Sequence, residues 1–282
     1  MNMTTLTIFT SMTNPDARND AWKEALDCYE SLADEVIIVG KDWPNEFSWD
    51  HIGKTFQEGF EKSNSDWVIR MDIDYFFHEK DFEKIRNSLN KFIDYPCIAF
   101  PQYQFFSPYR YQLKTRLCAA YNKAKFPDIK LNGGGDLTLA TLDGKLINPK
   151  KVPNVFVPIY QYESTFRTKE ILLNDRGRFA RAWYRYFGEF NDRGGQTDEE
   201  AYNAWFQMVQ ERYPKHSFKL NIHKHPKFIQ EKLRTLKKDQ FGYDVFGLMN
   251  KRKFSLNYLL KGLKEKYINH LFLKMLNFKK IS

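Results

Sequence analysis

Glycine, proline and cysteine are all sparse in this chain: 14, 11 and 3 residues among 282. Nowhere does it offer the roughly 18 consecutive uncharged apolar residues that a membrane-spanning helix requires. Cys28, Cys97 and Cys118 are odd in number, widely spaced and set among apolar neighbours. That excludes a disulfide framework and points to buried free thiols in a reducing compartment. No Gly-x-Gly-x-x-Gly follows the first strand pattern and no Gly-Lys-Ser/Thr occurs, so dinucleotide and P-loop phosphate cradles lose support. Zinc-finger spacing, an aromatic RNA-binding signature, internal repeats and low-complexity stretches are missing as well. Met1 to Thr10 is polar and runs into a strand pattern, so no secretory leader is expected. The expected location is cytoplasmic, with peripheral attachment to the membrane face.

Apolar side chains make up 42% of the chain and aromatics 17%, enough for a substantial core. The formal charge of +9 is unevenly placed. Residues 251–282 hold nine basic groups against Glu265 (net +8), which leaves 35 basic and 34 acidic groups (net +1) in the other 250 residues. A near-neutral body makes nucleic acid an unexpected partner.

Thr5–Phe9 reads as a strand, Ala21–Leu32 as an amphipathic helix, and Glu35–Gly40 as a buried strand. A helix over Ile52–Ser63 then leads to the apolar run Trp67-Val68-Ile69-Arg70-Met71-Asp72-Ile73-Asp74. Short connections between alternating elements predict a parallel sheet with right-handed crossovers. A helix over Lys80–Phe92 and a strand over Cys97–Pro101 continue the alternation. Beyond it, strands are expected at Leu137–Leu142, Asn154–Tyr160 and Phe218–Ile222, and helices at Glu170–Phe187, from Thr197 to about Arg212, and from about Ser255. Thr197 with Glu200 three residues on forms a capping-box pattern.

Asp72 and Asp74 are the most informative residues. Alternate residues of an extended chain share a side, so both carboxylates could reach one point. Two hard oxygen ligands suit a divalent cation that shares its remaining positions with substrate phosphates. The carboxyl ends of strands are also where open α/β sheets bind ligands.

This order of elements, ending in Asp72-Ile73-Asp74, resembles the nucleotide-sugar glycosyltransferases of the GT-A fold over roughly residues 4–225. The resemblance implies a Rossmann-like, mostly parallel sheet flanked by helices as a catalytic domain over 1–225, followed by a helical extension over 226–282. It implies Mn²⁺ or Mg²⁺ held by Asp72 and Asp74 against the diphosphate of a UDP- or GDP-sugar, with a glycan or lipid-linked glycan as acceptor. Thr10 and Ser11 fall where such enzymes begin the nucleotide pocket. Asp42 matches the acid that contacts base or ribose, although Gly40-Lys41-Asp42 departs from the family's consecutive acids. Asn132-Gly133-Gly134-Gly135-Asp136 lets backbone approach a ligand, and the resemblance sets Gly134, Gly135 and Asp136 near donor sugar and acceptor.

Asp198 or Glu199, at a helix start, takes the place of the catalytic base of inverting members. Asp198-Glu199-Glu200-Ala201-Tyr202-Asn203 also looks like the Asp-Gln-x-x-Leu-Asn segment of some retaining ones, so inversion is only slightly favoured. His223 or His225 would be a third metal ligand, as in retaining members. Arg178 and Arg181, in a cluster with Arg176 and Arg185, are candidates to grip a pyrophosphate or an anionic acceptor, or else form a solvated helix face. The basic tail with its apolar stripe fits an anionic membrane surface, or a helix packed on the body. Two other readings stay open: a sugar-nucleotide nucleotidyltransferase, and a non-enzymatic membrane or nucleic-acid adaptor.

Overall fold

In the computed structural model, which describes residues 4–132, 139–264 and 267, the alternation expected from the sequence is present up to residue 97. Strands and helices follow in the order β1 (Leu6–Ser11), α1 (Trp22–Glu30), β2 (Glu35–Val39), α2 (Asp50–Lys62), β3 (Trp67–Arg70), β4 (Tyr75–Phe76) and α3 (Phe82–Lys91). The long strands β5 (Cys97–Ser107) and β6 (Arg110–Asn122) come next, then β7 (Lys130–Asn132), β8 (Leu139–Leu142), β9 (Lys145–Leu146) and β10 (Ile159–Gln161). The chain continues with α4 (Lys169–Phe187), α5 (Asp198–Arg212), β11 (Phe218–Lys219), α6 (Lys227–Arg234), α7 (Phe241–Asp244) and α8 (Leu256–Leu263).

The central sheet has 8 strands, ordered β2-β1-β3-β6-β5-β10-β4, with β11 beside β6. Strands β1, β2 and β3 are parallel, and β10 is parallel to β5. Only β6 and β4 oppose the common direction. The result is the mostly parallel α/β sheet, flanked by helices, that was expected. A second sheet of 3 short strands, β7-β8-β9, lies beside α2.

Side-chain alternation sends each central strand's residues to two faces. Leu6, Ile8, Trp67 and Ile69 pack with α1, α3 and α6 on one face. Phe9 and Val68 pack with Ile52, Phe56 and Phe60 of α2 on the other. A third cluster joins Phe106 to α4, α5 and α7 through Leu172, Tyr202, Trp205 and Phe241.

Two expectations change. The strand expected over Cys97–Pro101 runs on to Ser107 and pairs with β6 in a hairpin, with Tyr103 stacked on Tyr111 at 4.3 Å between ring centroids. The core also does not part at residue 225. Ile229 and Leu233 of α6 are buried in the same cluster as β1 and β3, and Phe241, Val245 and Leu248 belong to the third cluster. The three cysteines are free and buried, as expected. Among the described residues, no helix is long and apolar enough to cross a membrane.

Candidate active site

Strands β1, β2 and β3 end at one edge of the sheet, and a cavity of about 440 Å³ opens there. Its walls come from the strand ends and the segments just past them: Ser11 at the end of β1 and Thr13 after it, Trp43 after β2, Asp72 and Asp74 after β3, and Glu163 after β10. Helices α2, α4 and α5 close the sides with Ile52 and Phe56, Arg176 and Phe179, and Trp205 and Met208.

The two aspartates reach this cavity by a different route from the one their spacing predicts. Strand β3 ends at Arg70, and Asp72 to Tyr75 form a turn closed by the Tyr75 amide donating to the Asp72 carbonyl at 2.8 Å. The Tyr29 hydroxyl, on α1, donates to the Asp72 and Tyr75 carbonyls at 2.7 and 2.9 Å and fixes the turn to the body. Arg70, fully buried, donates to Asp72 Oδ1 at 2.9 Å. Asp74 is half-buried in the wall. Burial, and then the negative charge of Asp72, push its carboxyl up to about 8. Ionisation of Asp74 beside Asp72 is therefore unfavourable in this wall, and a bound cation would favour it.

A buried ionic network forms part of the same wall, with Arg18, Arg167 and Asp175 lining the cavity. Arg167 donates to Asp20 Oδ1 and Asp175 Oδ2 at 2.7 and 2.6 Å, and Arg18 pairs with the same two carboxylates at 3.1 and 3.3 Å. Burial works against the charge on Asp175, but Arg18 and Arg167 outweigh it and hold its carboxyl at about 2. The network ties the loop after β1 to the start of α4.

Beside it, Arg176 donates to Ser164 Oγ at 2.8 Å, lies 3.6 Å from Glu163 and sits 4.6 Å above the Trp205 ring. Glu163 accepts from Gln104 Nε2 at 2.5 Å, and Gln104 in turn accepts from Gln112 at 2.6 Å. The Tyr162 amide donates to the Asp74 carbonyl at 2.9 Å and Gln161 pairs with Tyr75, so Glu163 stands one residue beyond the backbone that carries Asp74.

Of the residues singled out from sequence, Ser11, Asp72 and Asp74 are brought together at the cavity. Thr10 is buried within β1, one residue short of the wall. Asp42 is exposed, while its neighbour Trp43 lines the cavity. Thr197 caps α5 and exchanges hydrogen bonds with Glu200, as the capping pattern predicts. Asp198 is engaged by Arg181 at 2.7 Å, Glu199 is exposed, and neither lines the cavity.

Arg178 and Arg181 do not line the cavity either. Arg178 donates to the Asn45 and Pro44 carbonyls at 3.0 and 3.4 Å, and Arg181 reaches Glu46 at 3.5 Å, so both brace the loop after β2. His223 is exposed. His225 is buried, with Nδ1 hydrogen-bonded to Tyr162 at 2.7 Å and Nε2 to the Pro108 carbonyl at 2.8 Å, which leaves neither nitrogen open to a metal. Gly134, Gly135 and Asp136 lie outside the described residues.

Sequence reasoning missed Glu163, Arg167, Asp175, Trp205 and the lining role of Arg176. Glu163 had a usable signal, because it follows a strand as Asp72 does.

No family model matches the chain, and no curated protein matches it either. Among solved structures it is similar to TarS of S. aureus. The crystal structure of TarS residues 1–349 shares 10% identity at a TM-score of 0.33, over 73% of this chain and 79% of that one. A second TarS crystal structure shares 10% identity at 0.34, over 82% of this chain and 52% of that one. Likeness at that level leaves the function to the chain's own geometry.

Proposed function

We propose that this protein is a glycosyltransferase that moves a sugar from a UDP- or GDP-sugar to a hydroxyl of a glycan or lipid-linked glycan. The observation that carries this reading is the cavity at the carboxyl ends of β1 and β3, into which Asp72 and Asp74 both open. In open α/β sheets that edge takes ligands. The chain has no glycine-rich phosphate loop, so charge on a diphosphate needs another counterweight.

The donor set suits Mn²⁺ or Mg²⁺. Among the described residues no group of three or more His, Cys, Asp and Glu side chains gathers to cage a metal. Two carboxylates with the rest supplied by phosphate oxygens and water is the arrangement such hard cations favour. Asp72 and Asp74 would hold the ion, and it would supply charge neutralisation at the departing diphosphate.

Glu163 takes the role of base in place of Asp198 or Glu199. It lines the cavity, is held by Gln104 and Arg176, and stands beside the Asp74 turn. Its carboxylate accepts the proton of the acceptor hydroxyl. The new bond from that oxygen to the anomeric carbon forms as the bond to the diphosphate oxygen breaks, with inversion. The Trp43, Trp205 and Phe179 rings provide apolar walls for sugar and base.

Release of nucleoside diphosphate from a panel of UDP- and GDP-sugars, with Mn²⁺ or Mg²⁺ and a glycan acceptor, tests the proposal. Wild-type protein turns over at least one donor and Asp74→Asn protein does not. Equal turnover by the two would overturn it.

A further inference from the structure

We infer that the apolar face made by Leu256 and Leu260 of α8, with Phe254 just before the helix, docks on an anionic lipid surface. These three side chains are 80%, 53% and 52% exposed, an unusual display of apolar surface on a segment held firmly by the body. Arg110, itself buried, donates to the Met249 and Lys251 carbonyls at 2.8 and 3.2 Å, and the Lys253 amide donates to the Pro214 carbonyl at 2.9 Å. Gly262 is buried against the Phe218 ring, where a Cβ would collide, and Lys215 lies 5.4 Å from the Tyr258 ring.

At roughly 100° per residue, Tyr258 and Gly262 fall on the side of α8 opposite Leu256 and Leu260. The body therefore grips one side of the helix and turns the leucines outward. Lys251, Arg252, Lys253, Lys261 and Lys264 are exposed around that apolar face.

Charge selects the occupant. Residues 251–264 carry five basic groups and no acidic one while residues 1–250 carry net +1, so attraction to a negative surface is concentrated at this segment. Apolar side chains flanked by lysine and arginine form the pattern of a helix lying in a lipid interface, with cations at the headgroups. Each cation near an anionic membrane adds about 1 kcal/mol, or about fivefold in affinity, so three multiply it about a hundredfold. Such docking would hold the enzyme beside a lipid-linked acceptor, but the inference does not depend on the glycosyltransferase reading.

Cosedimentation with vesicles needs no substrate and separates the two claims. The full chain binds vesicles of phosphatidylcholine mixed with phosphatidylglycerol, releases them as salt is raised, and ignores phosphatidylcholine alone. The variant Lys251→Gln/Arg252→Gln/Lys253→Gln binds the mixed vesicles about a hundredfold more weakly. Phe254→Ser/Leu256→Ser/Leu260→Ser loses binding while keeping the thermal transition of the parent, because the substituted side chains face solvent.

Equal binding to both vesicle types, or unchanged binding by the glutamine variant, overturns the inference. So does a protein that binds no vesicle and instead forms a concentration-dependent dimer that the serine variant abolishes. In that case the face belongs to a second copy.

Discussion

Asp74 is under opposed demands. Burial and the neighbouring Asp72 charge raise its carboxyl to about 8, so the folded protein holds that proton more tightly than the unfolded chain does. The stabilising contribution is full below the ordinary carboxylate value near about 4 and is lost as pH rises towards about 8. Thermal transitions in a chelator should therefore fall across that window for wild-type protein, and Asp74→Asn should be flatter and the more stable of the two at its alkaline end. Parallel profiles would contradict this. Added Mn²⁺ should restore wild-type stability most strongly above the window, where the proton no longer competes. At Glu163, replacement by Gln keeps the shape and the Gln104 contact but removes the base. The expected loss is about 10²–10⁴-fold in kcat with little change in donor KM; a change confined to KM would reassign Glu163 to binding. Asp72 and Asp74 were legible because one short stretch carries both. Arg167 and Asp175 were not, because tertiary packing sets them at the cavity and no local pattern marks them, and Glu163 carried only the signal of following a strand.

Elements were legible where their determinants are local. Thr197 and Glu200 announce the start of α5 by a reciprocal hydrogen-bond pair, and Thr197→Ala should cost about 1 kcal/mol in urea unfolding. The β1-α1-β2-α2-β3 order follows from hydrophobic periodicity. The β5–β6 hairpin was missed because its aromatic residues are buried on both faces, so the strand pattern never alternates. One close approach between elements has a direct bearing on the cavity. Gly59 seats α2 against the buried Phe9 ring of β1, with no room for a Cβ, and α2 supplies Ile52 and Phe56 to the wall. Gly59→Ala should destabilise by about 1–3 kcal/mol through overpacking, less up to about 1 kcal/mol from better helix propensity. Unfolding at the wild-type urea midpoint would show that α2 yields freely.

Across the whole molecule, two buried neutral histidines set the acid limit. Burial, and then the Arg110 charge, lower His216 to about 3, and burial lowers His225 to about 4. With folded values below the unfolded value near about 6.5, their contribution is present above that pH and lost as pH falls towards the folded values. The thermal transition should drop through this range, and His216→Phe, stacked in the same place on Phe106, should drop less; identical acid profiles would remove His216 from the account. The layered α/β plan was legible from the sequence, because helices alternating with apolar strands leave few alternatives. The reversed strand β6 between β3 and β5 was not, since its pairing with β3 joins residues far apart in the chain, such as Trp67 and Asn122. The central claim is that Asp72 and Asp74 bind a divalent cation together with a nucleoside diphosphate. Thermal shift with UDP and with GDP, each with and without Mn²⁺, tests it most directly, because a ligand that binds only the folded state raises the transition temperature. The account predicts a rise with at least one nucleotide only when Mn²⁺ is present, and none in Asp74→Asn protein. The same rise without the cation, or in the variant, would contradict it.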